Sequence, residues 1–389
     1  MSNPDTSSAN GPRHRKPVTT RHVSTQTSRS SGRAKALPIG IAAVVVVVGL
    51  ASFLVFSRSS PLKTGFNSPP SAVPLGSNPT TAADHGPPVC PLTGTPAPGG
   101  KVPARPALAI KVGNNPSARP QSGLSKADIV IEEPIEGAIT RLIAIYQCQG
   151  APQVGPVRST RWIDLQMLEQ LGHPIFGFAG GINPDQALIA SSPLFDADYL
   201  GSAYSEYYRD NNELAPNNLY VATSSLWGLD HSTTPPPALF TYSEKPLTGR
   251  DVKAISAADL TWSGLLEVTW QWQASSGRWL RFYGSSPADG ASGAQLSATN
   301  VVIERVATVP GPYVEDSEGA HGVHSITVGK GPAMVLRNGV AISGYWERSS
   351  IAQITRFVTG SGKTITLAPG NTWIELVPNY ASVTTTPAS

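Results

Sequence analysis

The chain is poor in charge and nearly free of cysteine, and it lacks the compact motifs that usually announce an activity. Only 14% of its 389 residues are charged, and two are cysteine. No P-loop, dinucleotide fingerprint, zinc motif or G-x-S-x-G nucleophile elbow occurs, so nothing in the sequence implies a cofactor or a resident metal. No internal repeat is present. Proline and glycine are abundant instead, at 36 and 37 residues, with 40% hydrophobic residues to supply cores. That balance points to β-rich structure with long polar connections rather than to a helical bundle.

The net charge of +3 is an average over unlike regions. Residues 1–36 carry seven Lys/Arg and one acidic residue, Asp5; the rest carries 22 Lys/Arg against 25 Asp/Glu. A mildly acidic remainder does not suit sequence-independent nucleic-acid binding, which needs a basic surface, and no nucleic-acid partner is expected. Residues 1–36, rich in Ser, Thr, Arg and Pro, read as a disordered cytoplasmic tail. The uncharged run Leu37 to Phe56 has the length of a membrane-crossing helix. Its basic flank places the N-terminus inside and everything beyond it outside, as a single-pass cell-membrane protein. A cleaved signal peptide is the competing reading, but its apolar core is normally shorter and ends in a small-x-small site.

The expected organisation is therefore a tail at 1–36, a transmembrane helix at 37–57, a Pro/Ser/Gly-rich linker at 58–100, an N-terminal α/β domain at 101–237, a smaller C-terminal β domain at 238–380 and a disordered tail at 381–389. At about 3 Å per residue the linker would reach on the order of 100 Å, into a cell-wall layer, although a linker with no length requirement reads the same way. The fold class is α+β. PALAIKV, ADIVIEE and ITRLIAIYQ read as strands, and STRWIDLQMLEQLG as a helix capped by Ser159 or Thr160. After residue 237 short strands alternate with turns, and Asn338-Gly339 marks a hairpin. A sandwich or partly open barrel is the expected result there. The aromatic pair of strands holding Trp270, Trp272 and Trp279 either fills that core or stacks sugars.

Cys90 and Cys148, lying beyond the apolar run, can form a disulfide in an oxidising compartment. Closing that loop would stabilise by roughly 4 kcal/mol in the chain-entropy model. A lipidated Cys90 and two buried thiols are the alternatives.

The chemistry-bearing residues concentrate between Asn114 and Arg161. Arg119, Arg141, Arg158 and Arg161 alternate with Glu132, Glu133 and Glu136 amid strand-like sequence. Arg158 and Arg161 flank the expected helix start, where free N–H groups and guanidinium forks suit a phosphate or carboxylate. The glutamates can equally serve as internal partners. Glu132 and Glu133, adjacent on a strand, should face opposite ways. Glu132 with Glu136 is a possible acid/base pair for glycoside hydrolysis. His321 and His324, in EDSEGAHGVH, make a poor metal motif.

The segments ARPQSGL-x-x-ADIV-x-E, EG-x-x-TR, GPVRS-x-R, the NLY of APNNLY, G-x-W-x-R at Gly344, Trp346 and Arg348, and TWIELVP resemble the YerB-like family. These are bacterial extracytoplasmic proteins classed as lipoproteins, with N- and C-terminal parts of unknown function. The resemblance covers most of residues 104–380 and implies a two-part envelope protein, an α/β-type first part and a β-rich second. The family often has histidine where this chain has Phe178 and Asn217, so chemistry through those imidazoles does not carry over. Many relatives are anchored by a lipidated cysteine, where this chain has its apolar run. The resulting expectation is a membrane-anchored binding protein for an anionic wall or lipid ligand, or for an envelope protein partner. A wall-active hydrolase using Glu132 or Glu136 is the alternative.

Overall fold

The computed structural model describes residues 87–264 and 266–388. The apolar run 37–56, the basic tail and most of the expected linker lie outside the described residues. Among the described residues no helix is long and apolar enough to cross a membrane.

Three central strands come first in the chain: β1 (Leu108–Gly113), β2 (Ile129–Pro134) and β3 (Thr140–Tyr146). They coincide with the three stretches read as strands. Their burial is complete on both faces, which is why they read as near-continuous apolar runs. Helix α1 (Trp162–Leu168), β4 (Ile175–Phe178), helix α2 (Asn183–Ala190) and β5 (Phe195–Asp198) follow. The small pair β6 (Tyr207–Arg209) and β7 (Leu219–Val221) and helix α3 (Thr223–Trp227) complete this stretch.

Beyond it run β8 (Val252–Ser263), β9 (Leu266–Gln273), β10 (Arg278–Tyr283), and the short β11 (Ser286–Pro287) and β12 (Ser297–Ala298). The long arm of β13 (Asn300–Val314) and β14 (His321–Ile326) precedes β15 (Gly329–Arg337) and β16 (Val340–Arg348). Asn338 and Gly339, both at positive φ, turn β15 into β16. Strands β17 (Arg356–Val358), β18 (Thr372–Pro378) and β19 (Ser382–Pro387) close the chain.

The expected α+β class, with a mixed α/β first domain beside a separate sandwich or barrel, is overturned. Strand makes up 43% and helix 13% of the structure, in one large mixed sheet. Its order is β5, β4, β1, β3, β2, β18, β13, β15, β16. The joint between the two stretches is the parallel pair β2·β18, in register from Ile129 with Thr372 to Glu132 with Glu375. Strands of the later stretch thus extend the sheet of the earlier one. The helix read at 159–172 is shorter than expected: it starts at Trp162, its α turns end at Leu168, and a 3-10 turn runs on to Leu171.

Strand β8 leaves this sheet. Its first residues pair with β16, and the remainder pairs with β9 and β19 to form a second layer with β10. Within the stretch expected as a tail, Ser382–Pro387 therefore form a strand, for which the β-branched run Val383 to Thr386 is well suited. The second layer covers one face of the main sheet, where Trp270, Trp279 and Trp373 pack with Ile110, Val112 and Leu142. On the opposite face Ile163, Leu165 and Leu168 of α1 and Ile189 of α2 pack with Ile129, Ile131 and Ile143. The aromatic pair β9–β10 fills a core: Trp270 and Trp279 are wholly buried. Cys90 and Cys148 are joined by a disulfide that ties the segment before β1 to the end of β3.

Candidate functional site

The Arg/Glu stretch separates into three clusters, because adjacent strand residues face opposite sides of the sheet. Glu132 points toward the second layer. Its Oε1 accepts hydrogen bonds from Thr140 Oγ1 at 2.5 Å and Asn114 Nδ2 at 2.9 Å, and its Oε2 meets the Arg281 guanidinium. Arg281 also reaches Glu375 Oε1 at 2.8 Å, which accepts the Trp270 indole N–H at 2.8 Å as well. The side chains of Arg281, Glu132 and Glu375 are all 0% exposed. Burial raises the Glu375 carboxyl above its ordinary range, as does the neighbouring Glu132, while two carboxylates hold Arg281 firmly protonated.

Glu133 points the other way, to Lys111 of β1, which also contacts Asp164 Oδ1 of α1 at 2.5 Å. With one ammonium for two buried carboxylates, the Glu133 carboxyl is raised, first by burial and then by Asp164 against the opposing pull of Lys111. Asp164 Oδ2 accepts from the Arg161 backbone N–H at 2.7 Å and the Thr160 hydroxyl at 2.9 Å. This changes the expected cap of the helix. Arg161, not Ser159 or Thr160, is the N-cap residue, and the chain's own Asp164 occupies the N-terminus.

The third cluster is open. Glu136, in the 3-10 turn after β2, is bound by the Arg161 guanidinium, with Nε–H donating at 2.9 Å and Nη2 on the other oxygen. Arg141 Nη2 stands 3.7 Å from Glu136 and its Nη1 donates to Ser159 O at 3.1 Å. Burial opposes the Glu136 charge, but the two guanidinium groups outweigh it and lower the carboxyl. These residues line a cleft of about 550 Å³ with Arg158, Ser159, Gly180 and Gly181. The loop joining β13 to β14 brings Glu315, Asp316 and Glu318 to the same cleft. Glu315 Oε2 lies 3.3 Å from Arg161 Nε.

Arg158 is the cation of this cleft without an ion pair among the described residues. Its Nη1 donates only to Pro216 O, at 3.4 Å. Its aliphatic stem crosses Gly113, where an added Cβ would come within 2.9 Å of Arg158 Cγ. Gly180, at φ +61, turns the chain after β4 and forms another wall.

Of the six residues expected to form one ligand site, the structure gathers Glu136, Arg141, Arg158 and Arg161. Glu132 is sealed in the interlayer cluster. Arg119 lies over the Tyr283 ring at 3.4 Å and donates to Asn114 O at 2.7 Å, beside a different hollow. Sequence reasoning missed Lys111, Arg281 and Glu375, although Lys111 and Glu375 are each a lone charge within an apolar strand, a pattern that signals a buried partner. It also missed Asp185 and the role of Glu315 in the cleft, for which the sequence carries no local signal. His324 stacks on Trp162 at 4.2 Å and His321 Nδ1 contacts Gly311 O at 2.8 Å. Among the described residues no group of three or more His, Cys, Asp or Glu is arranged to hold a metal ion.

Phe178, which precedes Ala179 of the cleft wall, is stacked with Phe176 and buried, and Asn217 donates to Ser117 Oγ at 3.0 Å. Neither supplies a titratable group.

The chain is similar to the Bacillus subtilis (strain 168) protein named "Putative lipoprotein YerB", at 29% identity over 296 residues, covering 72% of this chain and 83% of the relative. It is also similar to the crystal structure of YerB from Bacillus subtilis, at 25% identity and a TM-score of 0.64, covering 76% of this chain and 99% of that one. Residues 92–234 match the N-terminal domain, and residues 258–374 the C-terminal domain, of the protein family of unknown function DUF3048. With both halves of the family in order along it, the chain belongs to the DUF3048 family.

Proposed function

We infer that the protein is an extracytoplasmic binding protein held at the cell envelope, whose cleft between Glu136 and the 315–318 loop takes an anionic group of a wall polymer or a lipid. The observation that carries this reading is Arg158: a half-buried guanidinium in an open cleft, with no carboxylate of its own. A guanidinium fork left free in such a place favours a carboxylate or phosphate, which it binds through two parallel N–H donors. Burial and the neighbouring Arg161 charge both disfavour its cationic form, so an arriving anion relieves electrostatic cost as well as forming bonds.

Less supports the hydrolase alternative. Glu132 is wholly buried and bound by Arg281, Thr140 and Asn114. Glu136 is held ionised by Arg161, which suits neither a general acid nor a free nucleophile. Two observations support the location: the lipoprotein name of the Bacillus relative, and the Cys90–Cys148 disulfide, a bond that persists in oxidising compartments.

The binding test is calorimetric titration of the full chain with inorganic phosphate and with acetate, repeated on Arg158→Gln. Saturable binding that weakens by about tenfold or more in the variant is expected, equivalent to about 1.4 kcal/mol. Absence of binding by either anion, or equal affinity in the variant, would overturn the reading. Protease added to intact, wall-stripped cells should degrade the folded part, and full protection would overturn the location.

A further inference from the structure

We propose that the Arg158 cleft is one end of a binding surface for an acidic glycan, a chain of sugar rings bearing carboxylates, with Tyr204 as a ring on which a sugar stacks. This rests on the anion-binding reading above and names the ligand class for the same cleft. The observation behind it is an exposed apolar strip that starts in the cleft wall. Leu200 lines the cleft against Gly180 and is 67% exposed. Its chain neighbour Tyr199 packs on the core and carries Tyr204 stacked upon it, with ring centroids 5.1 Å apart. Tyr204 is itself 63% exposed. Tyr208, also exposed, stacks in the same way on Tyr220, which lies against Gly155, three residues before Arg158.

Among the described residues, four of the twelve exposed large apolar side chains fall within residues 200–214, so the strip is a concentration rather than a scatter. A tyrosine ring supported from one side offers a rigid, flat contact area at low conformational cost. The negative face of such a ring attracts the polarised C–H face of a sugar ring, whose hydroxyls stay free for polar neighbours. Arg209 adds a second cation. It is exposed, stands 5.3 Å from the Tyr199 ring and donates to Asn218 Oδ1 at 2.6 Å, with no ion pair among the described residues.

Unpaired guanidinium groups therefore stand both in the cleft and against the tyrosine stack, which suits a ligand whose anion repeats along a chain. Asp316 and Glu318 on the facing wall favour a singly charged carboxylate over a phosphate dianion. A lipid surface fits less well. Glu206, Asp210 and Glu213 are set among these tyrosines in the chain, and they repel an anionic bilayer lying flat across the strip. A single glycan chain can follow the arginines and donate its hydroxyls to the same carboxylates.

The test is calorimetric titration of the full chain with four probes. These are tetragalacturonate, acetate as the bare anion, maltotetraose as the uncharged chain, and glycerophosphoglycerol as the headgroup of an anionic lipid. Tetragalacturonate should bind about tenfold or more tightly than any of the other three, a difference of about 1.4 kcal/mol. Arg158→Gln should weaken it by about tenfold or more. Tyr204→Ala should remove its advantage over acetate, and Tyr204→Phe, which keeps the ring, should retain that advantage. Affinity for tetragalacturonate no greater than for acetate, or an advantage that survives Tyr204→Ala, overturns the glycan assignment and leaves the anion reading standing. Tighter binding of glycerophosphoglycerol than of tetragalacturonate assigns the cleft to a lipid and overturns it as well. Silence toward phosphate and all four probes overturns both readings.

Discussion

Glu132 and Glu136 stand four residues apart in the chain, yet they end in opposite kinds of environment. Glu132 lies on a strand whose face is covered by the second layer, and everything it needs is inside: a guanidinium, a hydroxyl and an amide. Glu136 lies just past the end of β2, where the sheet no longer shields it, and shares its partners with an open cleft. The first cluster uses one arginine to hold two glutamates; the second sets three arginines against the four carboxylates of the cleft wall and still leaves Arg158 unpaired. Access separates the two: the first cluster is wholly buried, and the second lines an open cleft. A buried network fastens layers together, and one that leaves a cation unpaired at an open cleft has room for a ligand.

The largest effect expected from breaking this contrast is at Arg281. Replacing it with Met leaves Glu132 and Glu375 side by side on adjacent strands without a cation, and breaking a buried pair in this way typically costs about 3–5 kcal/mol. Denaturant unfolding of Arg281→Met measures it, and a loss below about 1 kcal/mol would show that the interlayer cluster is not sealed.

An intermediate effect is expected at Asp185, visible only against pH. The Asp185 carboxyl is held up to about 8 in the folded chain, by burial and then by Glu315. In the unfolded chain it titrates near roughly 3.9. Between those values the folded chain keeps a proton that the unfolded chain has lost, so stability falls as pH rises through the window, and the loss is complete above the folded value. Asp185→Asn removes this slope and gains on the parent as the pH approaches 8. Superimposable pH–stability curves would remove the carboxyl pair from the description of the cleft.

The smallest effect is the one that sharpens the contrast most. Arg158→Gln should alter stability by no more than about 0.5 kcal/mol, because no carboxylate is stranded when its charge is lost. A thermal melt beside the parent checks this, and a cost similar to that of Arg281→Met would make Arg158 a second structural cation.

Much of the local structure was legible. The apolar runs of β1, β2 and β3, the Asn338-Gly339 turn and the opposed directions of Glu132 and Glu133 all follow from alternation and turn chemistry. The α+β assignment failed because α1 and α2 are short and the strands of the two stretches share one sheet, a fact carried by partners far apart in sequence. The polar run Ser382 to Pro387 read as a tail because an edge strand with little buried surface has no apolar pattern to show. Within the site, four of six expected residues meet at the cleft, while Glu132 and Arg119 are drawn away by Arg281 and Tyr283, whose positions depend on how β10 packs.

The sequence by itself determined the strands, their turns and the clustering of arginine and glutamate around β2 and β3, because these depend on neighbours within a few residues. Only the tertiary structure decided that β2 runs beside β18, which sets Glu132 next to Glu375 and calls for Arg281 between them. It alone carried Glu315 to Arg161 on the end of the β13–β14 arm. Parallel pairing and arm placement join residues separated by long connections, so no local pattern announces them. Whether a charge is sealed or left free then depends on which distant side chain arrives to meet it.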